Sequence, residues 1–265
     1  LYELKKIKIN CEASKDFKDL LLKNLKKQLD HFKQKIRQEF LRTSDGSLNV
    51  GLNVILIDSL LKVILKNCYF HILGDLDYQF SLIAVGGYGR GELAPHSDLD
   101  ILFLLPNKLT INDTKKIENV IQLVLYILWD LGYTVGHSTR TIKDCIQKSK
   151  SDLTISTSLL EKRFVGGSNQ IYNLLHNEFK LFIDNSKTLD FVAAKLEESD
   201  IRHKRFGGSR YLVEPNVKDG KGGLRDLHTL IWISKFAYKV DTIPKLINIG
   251  ALSKKEAASF AEAQR

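Results

Sequence analysis

Apolar residues at spacings of three and four run through residues 13–42: Phe17, Leu21, Leu25, Leu29, Phe32, Ile36 and Phe40, with lysines between them. That period predicts an amphipathic helix with one buried stripe. Thr43-Ser44-Asp45-Gly46-Ser47 predicts the loop that ends it, and residues 51–72 predict a second helix. The pattern then changes. Two short apolar runs, 80–86 and 97–105, read as strands on either side of a glycine-rich turn, and Pro106-Asn107 breaks the second. From 113 to 131 the helical spacing returns at Ile117, Val120, Ile121, Val124, Leu128 and Leu131, with Gly132 as the stop.

Further along, 133–141 reads as a third strand and 142–150 as a short helix, while 158–165 suits strand or helix equally. Helices near 168–183 and 187–206 precede a polar, glycine-rich stretch over 207–227. Asp226 reads as the N-cap of a helix opening near His228. A last helical run covers Lys254 to Arg265. This order predicts an α/β (α+β) chain with a small mixed sheet and a helical part. The expected division is 1–75 for the N-terminal helices, 76–167 for the sheet-containing core and 168–265 for a helical domain.

The chemistry concentrates in residues 84–104, Ala-Val-Gly-Gly-Tyr-Gly-Arg-Gly-Glu-Leu-Ala-Pro-His-Ser-Asp-Leu-Asp-Ile-Leu-Phe-Leu. Strand side chains alternate faces, so Asp98 and Asp100 point one way while Leu99 and Ile101 point into the core. Two carboxylates about 7 Å apart on one face repel each other unless something neutralises them, and a divalent cation does so. Gly86 and Gly87 let the backbone approach a triphosphate with no Cβ in the way. Tyr88 to Gly91 reads as the opening of a short helix facing those phosphates. Hard oxygen donors beside a glycine-rich backbone cradle describe a Mg²⁺–nucleotide site. Other phosphate motifs are excluded: Gly-x-Gly-x-Gly is not the dinucleotide fingerprint, and no Gly-Lys-Ser/Thr occurs.

Composition narrows the setting. The 265 residues are 43% hydrophobic, enough for a globular core. Cys11, Cys68 and Cys145 are scattered and odd in number, as expected of reduced thiols in a cytoplasmic protein. No uninterrupted apolar run reaches 18 residues and no signal peptide is visible, so no membrane role is expected. The net charge of +9 comes mostly from lysines spread along helices. That pattern suits solvated faces and attraction of a polyanionic small substrate, and nucleic-acid binding is not expected. The chain begins at Leu1, contains no Met and ends within an apparent helix, so it is expected to be a piece of a longer protein.

Gly86-Gly87 followed by Asp98-Leu99-Asp100 resembles the signature of the DNA polymerase beta-type nucleotidyltransferase superfamily. The fuller string Gly-Gly-Tyr-Gly-Arg-Gly-Glu-Leu-x-Pro-x-Ser-Asp-x-Asp resembles that of the uridylyltransferases acting on nitrogen regulatory protein PII. Residues 210–232, and Ser151 to Thr154 through Leu160 to Arg163, fit the same family, so the likeness covers roughly residues 20 to 265. It implies a polymerase-beta-type core in which Asp98 and Asp100 are both catalytic and metal-binding, holding two Mg²⁺ ions about 4 Å apart. UTP would be the nucleotide and a PII tyrosine the acceptor, with pyrophosphate released. Two alternatives stay open: adenylyl transfer to a protein such as glutamine synthetase, and a non-catalytic nucleotide-binding module.

By the same resemblance Ser97 bonds a terminal phosphate, or else it serves the turn. Arg90 has two readings, a phosphate contact or an ion pair with Glu92. The superfamily often carries a third carboxylate on the next strand, but Tyr133 to Arg140 contains no acid. His137 or Arg140 would stand there instead, and Asp152 is either a distant third acid or a helix cap. The polar block Arg210, Glu214, Asn216, Lys218, Lys221, Arg225, Asp226 and His228 is either a structural network or a wall of the substrate cleft. The family's hydrolase and sensing functions are not expected here, because none of the seven histidines is followed by Asp.

Overall fold

A computed structural model of the chain describes residues 17–264 apart from 76, 207–213, 215 and 241. Cys11, Arg210 and the first residues of the predicted N-terminal helix therefore lie outside the described residues. Two compact units divide the chain, one of residues 1–147 with 161–179 and one of 148–160 with 180–265.

The first unit opens with two long helices. Helix α1 (Phe17–Thr43) buries Phe17, Leu21, Leu22, Leu25 and Leu29, but its apolar stripe runs out of partners and Phe40 is exposed. Helix α2 (Gly46–Leu73) starts five residues earlier than the spacing predicts. The reason is local: the Asp45 side chain accepts a hydrogen bond from the Leu48 amide, so the expected five-residue loop shrinks to Ser44 and Asp45. By length and composition α2 could cross a membrane, yet half of its apolar window is buried within the protein, as in a core helix.

A four-stranded mixed sheet follows, made of β1 (Ser81–Ala84), β2 (Leu99–Leu105), β3 (Val135–Thr141) and β4 (Arg163–Gly167) in the order β3-β2-β1-β4. Strand β1 runs antiparallel to both neighbours, and β2 pairs parallel with β3. The five-residue helix α3 (Gly86–Arg90) joins β1 to β2. The parallel pair needs a crossover, which α4 (Ile111–Asp130) supplies. Thr110 caps α4 by accepting from the Asp113 amide. One sheet face, with Leu82, Ala84, Leu99, Ile101 and Phe103, joins the stripes of α1, α2 and α4 in a single core. Asp100 lies on the opposite face by alternation.

Helix α5 (Ile142–Ser151) leads from the first unit into the second, where α6 (Leu153–Leu160) begins. The ambiguous run 158–165 is both things: the end of α6 and the start of β4. After α7 (Asn169–Asp184), the second unit continues with α8 (Thr188–Arg205), α9 (Leu224–Ala237), α10 (Ile243–Asn248) and α11 (Lys254–Gln264). Phe191 of α8 stacks on Phe236 of α9 with ring centroids 3.8 Å apart. The buried Lys195 ammonium sits 4.4 Å above the Trp232 ring and binds Glu198 at 2.9 Å.

Candidate active site

Strand β1 ends where the Val85 amide donates to the Asp100 carbonyl, at 3.1 Å, and the chain turns at Gly86 with φ +60°. This bond ties the glycine turn to the centre of the acidic strand. Asp98 stands just ahead of β2 and is exposed, whereas the Asp100 side chain is half-buried. Leu99 between them is buried, and its amide donates to the Thr134 carbonyl at 2.9 Å. Before Asp98 the chain makes a tight turn: the Ser97 amide donates to the Ala94 carbonyl at 3.1 Å, and His96 adopts φ +65°. A left-handed histidine beside a candidate site is stored backbone strain.

Two backbones flank the Asp100 carboxylate. A Cβ placed on Gly86 would lie 2.7 Å from Asp100 Oδ2, and one on Gly136 would lie 2.6 Å from Oδ1. Gly136 is the registered neighbour of Asp100 across the parallel pair. The carboxylate therefore occupies a slot between two residues that have no side chain.

Helix α3 is held in place by two partly buried charge networks. The Tyr88 hydroxyl donates to Asp58 Oδ1 at 2.6 Å, and Arg163 spans Asp58 with bonds of 2.6 and 3.1 Å. Arg163 also donates to the Tyr88 carbonyl at 3.2 Å. Burial, and then the Asp58 carboxylate, push the Tyr88 phenol well above its ordinary pKa, so it stays protonated and donating. On the other side Arg90 pairs with Glu92 and with the buried Glu161, both at 2.7 Å. Burial alone would pull the Arg90 guanidinium down, but Glu161 and Glu92 hold it above its usual value. A methyl on Gly89 would collide with the Glu161 carbonyl, so α3 lies flush against the chain entering β4.

Asp58, Glu161, Arg163 and Gly136 escape sequence reasoning. The acids and Arg163 meet Tyr88 and Arg90 across 30 to 75 positions, and no local pattern announces such pairs. Gly136 reads in sequence only as a weak point in a strand.

The other expectations separate cleanly. The ion-pair reading of Arg90 with Glu92 is present, extended by Glu161. His137 turns away from Asp100: its ring contacts Trp129 of α4 at 6.2 Å, on the opposite sheet face. Arg140 is registered with Leu104, four residues beyond Asp100. Asp152 caps α6, accepting from the Thr154 and Ile155 amides at 2.8 and 3.1 Å. Asp226 is not the N-cap expected of it, because α9 begins at Leu224 with Gly223 in the cap position. Its carboxylate instead binds the Gly222 amide at 2.7 Å, His203 at 2.9 Å, Ser199 at 3.3 Å and Arg202. Of the polar block, Asn216 closes a local turn onto the Lys218 and Asp219 amides, while Asp226 clasps α8 to α9. These parts of the block form a structural network within the second unit.

Asp98 and Asp100 fit a hard divalent ion of the kind that takes one or two carboxylates and completes its shell with phosphate oxygens and water. Among the described residues no group of three His, Cys, Asp or Glu side chains is placed to cage a metal. The donor set suits an ion shared with a substrate better than a purely structural one.

A nucleotidyltransferase-domain profile matches residues 70–163, the span that contains the glycine turn and both aspartates. A profile described as GlnD PII-uridylyltransferase matches residues 190–265. The chain is 42% identical over 249 residues to the bifunctional uridylyltransferase/uridylyl-removing enzyme of Rhodospirillum rubrum, covering 92% of this chain. It is 41% identical over 251 residues to the enzyme of that name from Azospirillum brasilense, again over 92% of this chain. Against the one from Novosphingobium aromaticivorans it is 45% identical over 231 residues, or 84% of this chain. The chain spans about a quarter of the length of these curated relatives. Nucleotidyltransferase domains generally work with divalent metal ions. Residues 70–163 thus carry a nucleotidyltransferase domain, and over 84–92% of its length the chain is similar to the uridylyltransferase/uridylyl-removing enzymes.

Proposed function

We propose that this chain moves UMP from UTP to a tyrosine hydroxyl of protein PII and releases pyrophosphate. The observation that carries the reading is the Asp98/Asp100 pair beside the Gly86 turn, inside the span matched as a nucleotidyltransferase domain. The names of the relatives support uridylyl transfer, and the description of the second profile supports PII as acceptor. The reaction belongs in the cytoplasm, where nucleoside triphosphates are, and calls for neither a membrane nor a nucleic acid.

Asp98 and Asp100 would hold Mg²⁺. Bound there, the ion supplies Lewis-acid polarisation of the triphosphate and favours ionisation of the attacking hydroxyl. The chain's own groups do the positioning. Backbone at Gly86 and Gly87 approaches the triphosphate closely, and Ser97 offers a hydroxyl at the same end of the sheet. Arg90 is shared between Glu92 and Glu161, which favours a role in holding α3 for the nucleotide over a direct phosphate contact. The hydroxyl attacks the α-phosphorus in line, and the rate gain comes from alignment and preorganised charge rather than covalent chemistry by the protein.

The test is nucleotide choice. The chain is incubated with PII, Mg²⁺ and each of four α-labelled triphosphates, with a tyrosine-to-phenylalanine PII as control. Label from UTP alone, lost with the control acceptor, is expected. Label from ATP would move the chain to adenylyl transfer. Tight Mg²⁺-dependent binding with no transfer from any nucleotide would favour a non-catalytic module.

A further inference from the structure

We propose that Gly136 is a positioning residue for the transfer reaction: with Gly86 it fixes the Asp100 carboxylate, and its bareness is what the site requires. The inference rests on the function proposed above and assigns a role to a residue outside the Gly-Gly/Asp-x-Asp pattern.

Three observations carry it. Gly136 is paired with Asp100 in the parallel register, so a side chain at 136 would share the face of the acids. The Cβ position of Gly136 lies 2.6 Å from Asp100 Oδ1 and 3.8 Å from its Cγ, with no backbone atom among its close neighbours. The collision is therefore with the Asp100 carboxylate and not with the backbone. Gly136 is also exposed, on the edge strand β3. A glycine in an exposed strand ordinarily weakens it, and alanine would lose less backbone entropy on folding. Stability gives no reason for glycine here; the Asp100 carboxylate does.

The same geometry accounts for the missing third acid. The β3 position registered with Asp100 is one from which a neighbouring strand could add a carboxylate to this pair. Any side chain there would displace Asp100 from its slot. The strand therefore contributes room, and Asp98 and Asp100 remain the carboxylates of the site.

The experiment uses the 265-residue chain as wild type, as Gly136→Ala and as Gly51→Ala. Gly51 is the control because an added methyl there meets nothing within 4 Å. Melting temperature, Mn²⁺ affinity by calorimetry with UTP absent, and uridylyl transfer are measured on all three. Gly136→Ala should remain folded and melt cooperatively. It should lose ~10–100-fold in Mn²⁺ affinity and in turnover, the usual effect of disturbing what orients a metal ligand. Gly51→Ala should keep both. Wild-type Mn²⁺ affinity in Gly136→Ala would overturn the proposal, as would a wild-type chain that binds no Mn²⁺. A wild-type chain that binds Mn²⁺ but transfers no UMP would instead overturn the proposed function, leaving the Mn²⁺ affinities to decide the role of Gly136.

Discussion

At the scale of single residues, Asp98 and Asp100 differ in surroundings: one precedes strand β2 and the other lies within it. Asp98 is exposed ahead of β2, and Asp100 is confined between Gly86 and Gly136. Neither takes part in the hydrophobic core, so Asp98→Asn and Asp100→Asn should keep the fold and a cooperative melt. Turnover should fall at least ~10²-fold in each, since losing even a neutral donor to developing charge costs that much. Steady-state kinetics beside a thermal melt checks both halves, and a variant retaining most of its turnover would remove that aspartate from the site. The face of Asp100, opposite the buried Leu99 and Ile101, was legible because strand alternation is a local rule. The slot around Asp100 was not, because the register that brings Gly136 opposite it is a long-range fact.

Among the elements, α3 is too short to hold itself in place, and its position depends on Asp58 of α2, Glu161 and Arg163. Glu161→Ala leaves the buried Arg90 with Glu92 alone. The loss should be about 3 kcal/mol, the low end for breaking a buried pair, because one partner remains. Arg42→Ala breaks the exposed, solvent-screened pair with Glu39 and should leave the midpoint nearly unchanged. Denaturant midpoints distinguish the two; equal losses would mean that the Arg90 pair does not brace α3. Element types followed from periodicity, as with Ile117, Val120, Ile121, Val124 and Leu128, which are all buried on α4. Boundaries moved where a cap or a tertiary contact outweighed the pattern. Asp45 extended α2 backward, and Gly223 rather than Asp226 opened α9. The run 158–165 could not be resolved locally, because pairing with β1 decides that its second half is a strand.

For the molecule as a whole, the second unit carries a pH-sensitive clasp. Burial would raise the Asp226 carboxyl, but the Gly222 amide, His203 and Arg202 together hold it below its ordinary value of 3.8. A depressed folded pKa contributes stability that is full above the unfolded value and is lost as pH falls through the folded one. The stability gap between wild type and Asp226→Asn should therefore be widest near neutral pH and shrink as the pH falls below the ordinary carboxyl value. Denaturation followed by fluorescence of the buried Trp232 reads it, and a gap that grows on acidification would contradict the assignment. The net charge of +9 adds a field that draws triphosphates, so nucleotide capture should slow as salt rises.

The central claim is nucleotidyl transfer at Asp98 and Asp100, and the position of the transferred phosphorus tests it most directly. The chain is supplied with PII, Mg²⁺ and UTP labelled on either the α- or the γ-phosphorus, and the label on PII is counted for wild type and for Asp100→Asn. Label from the α-position alone, absent with Asp100→Asn, is the expected result. Label from the γ-position, or α-label undiminished by Asp100→Asn, would contradict it.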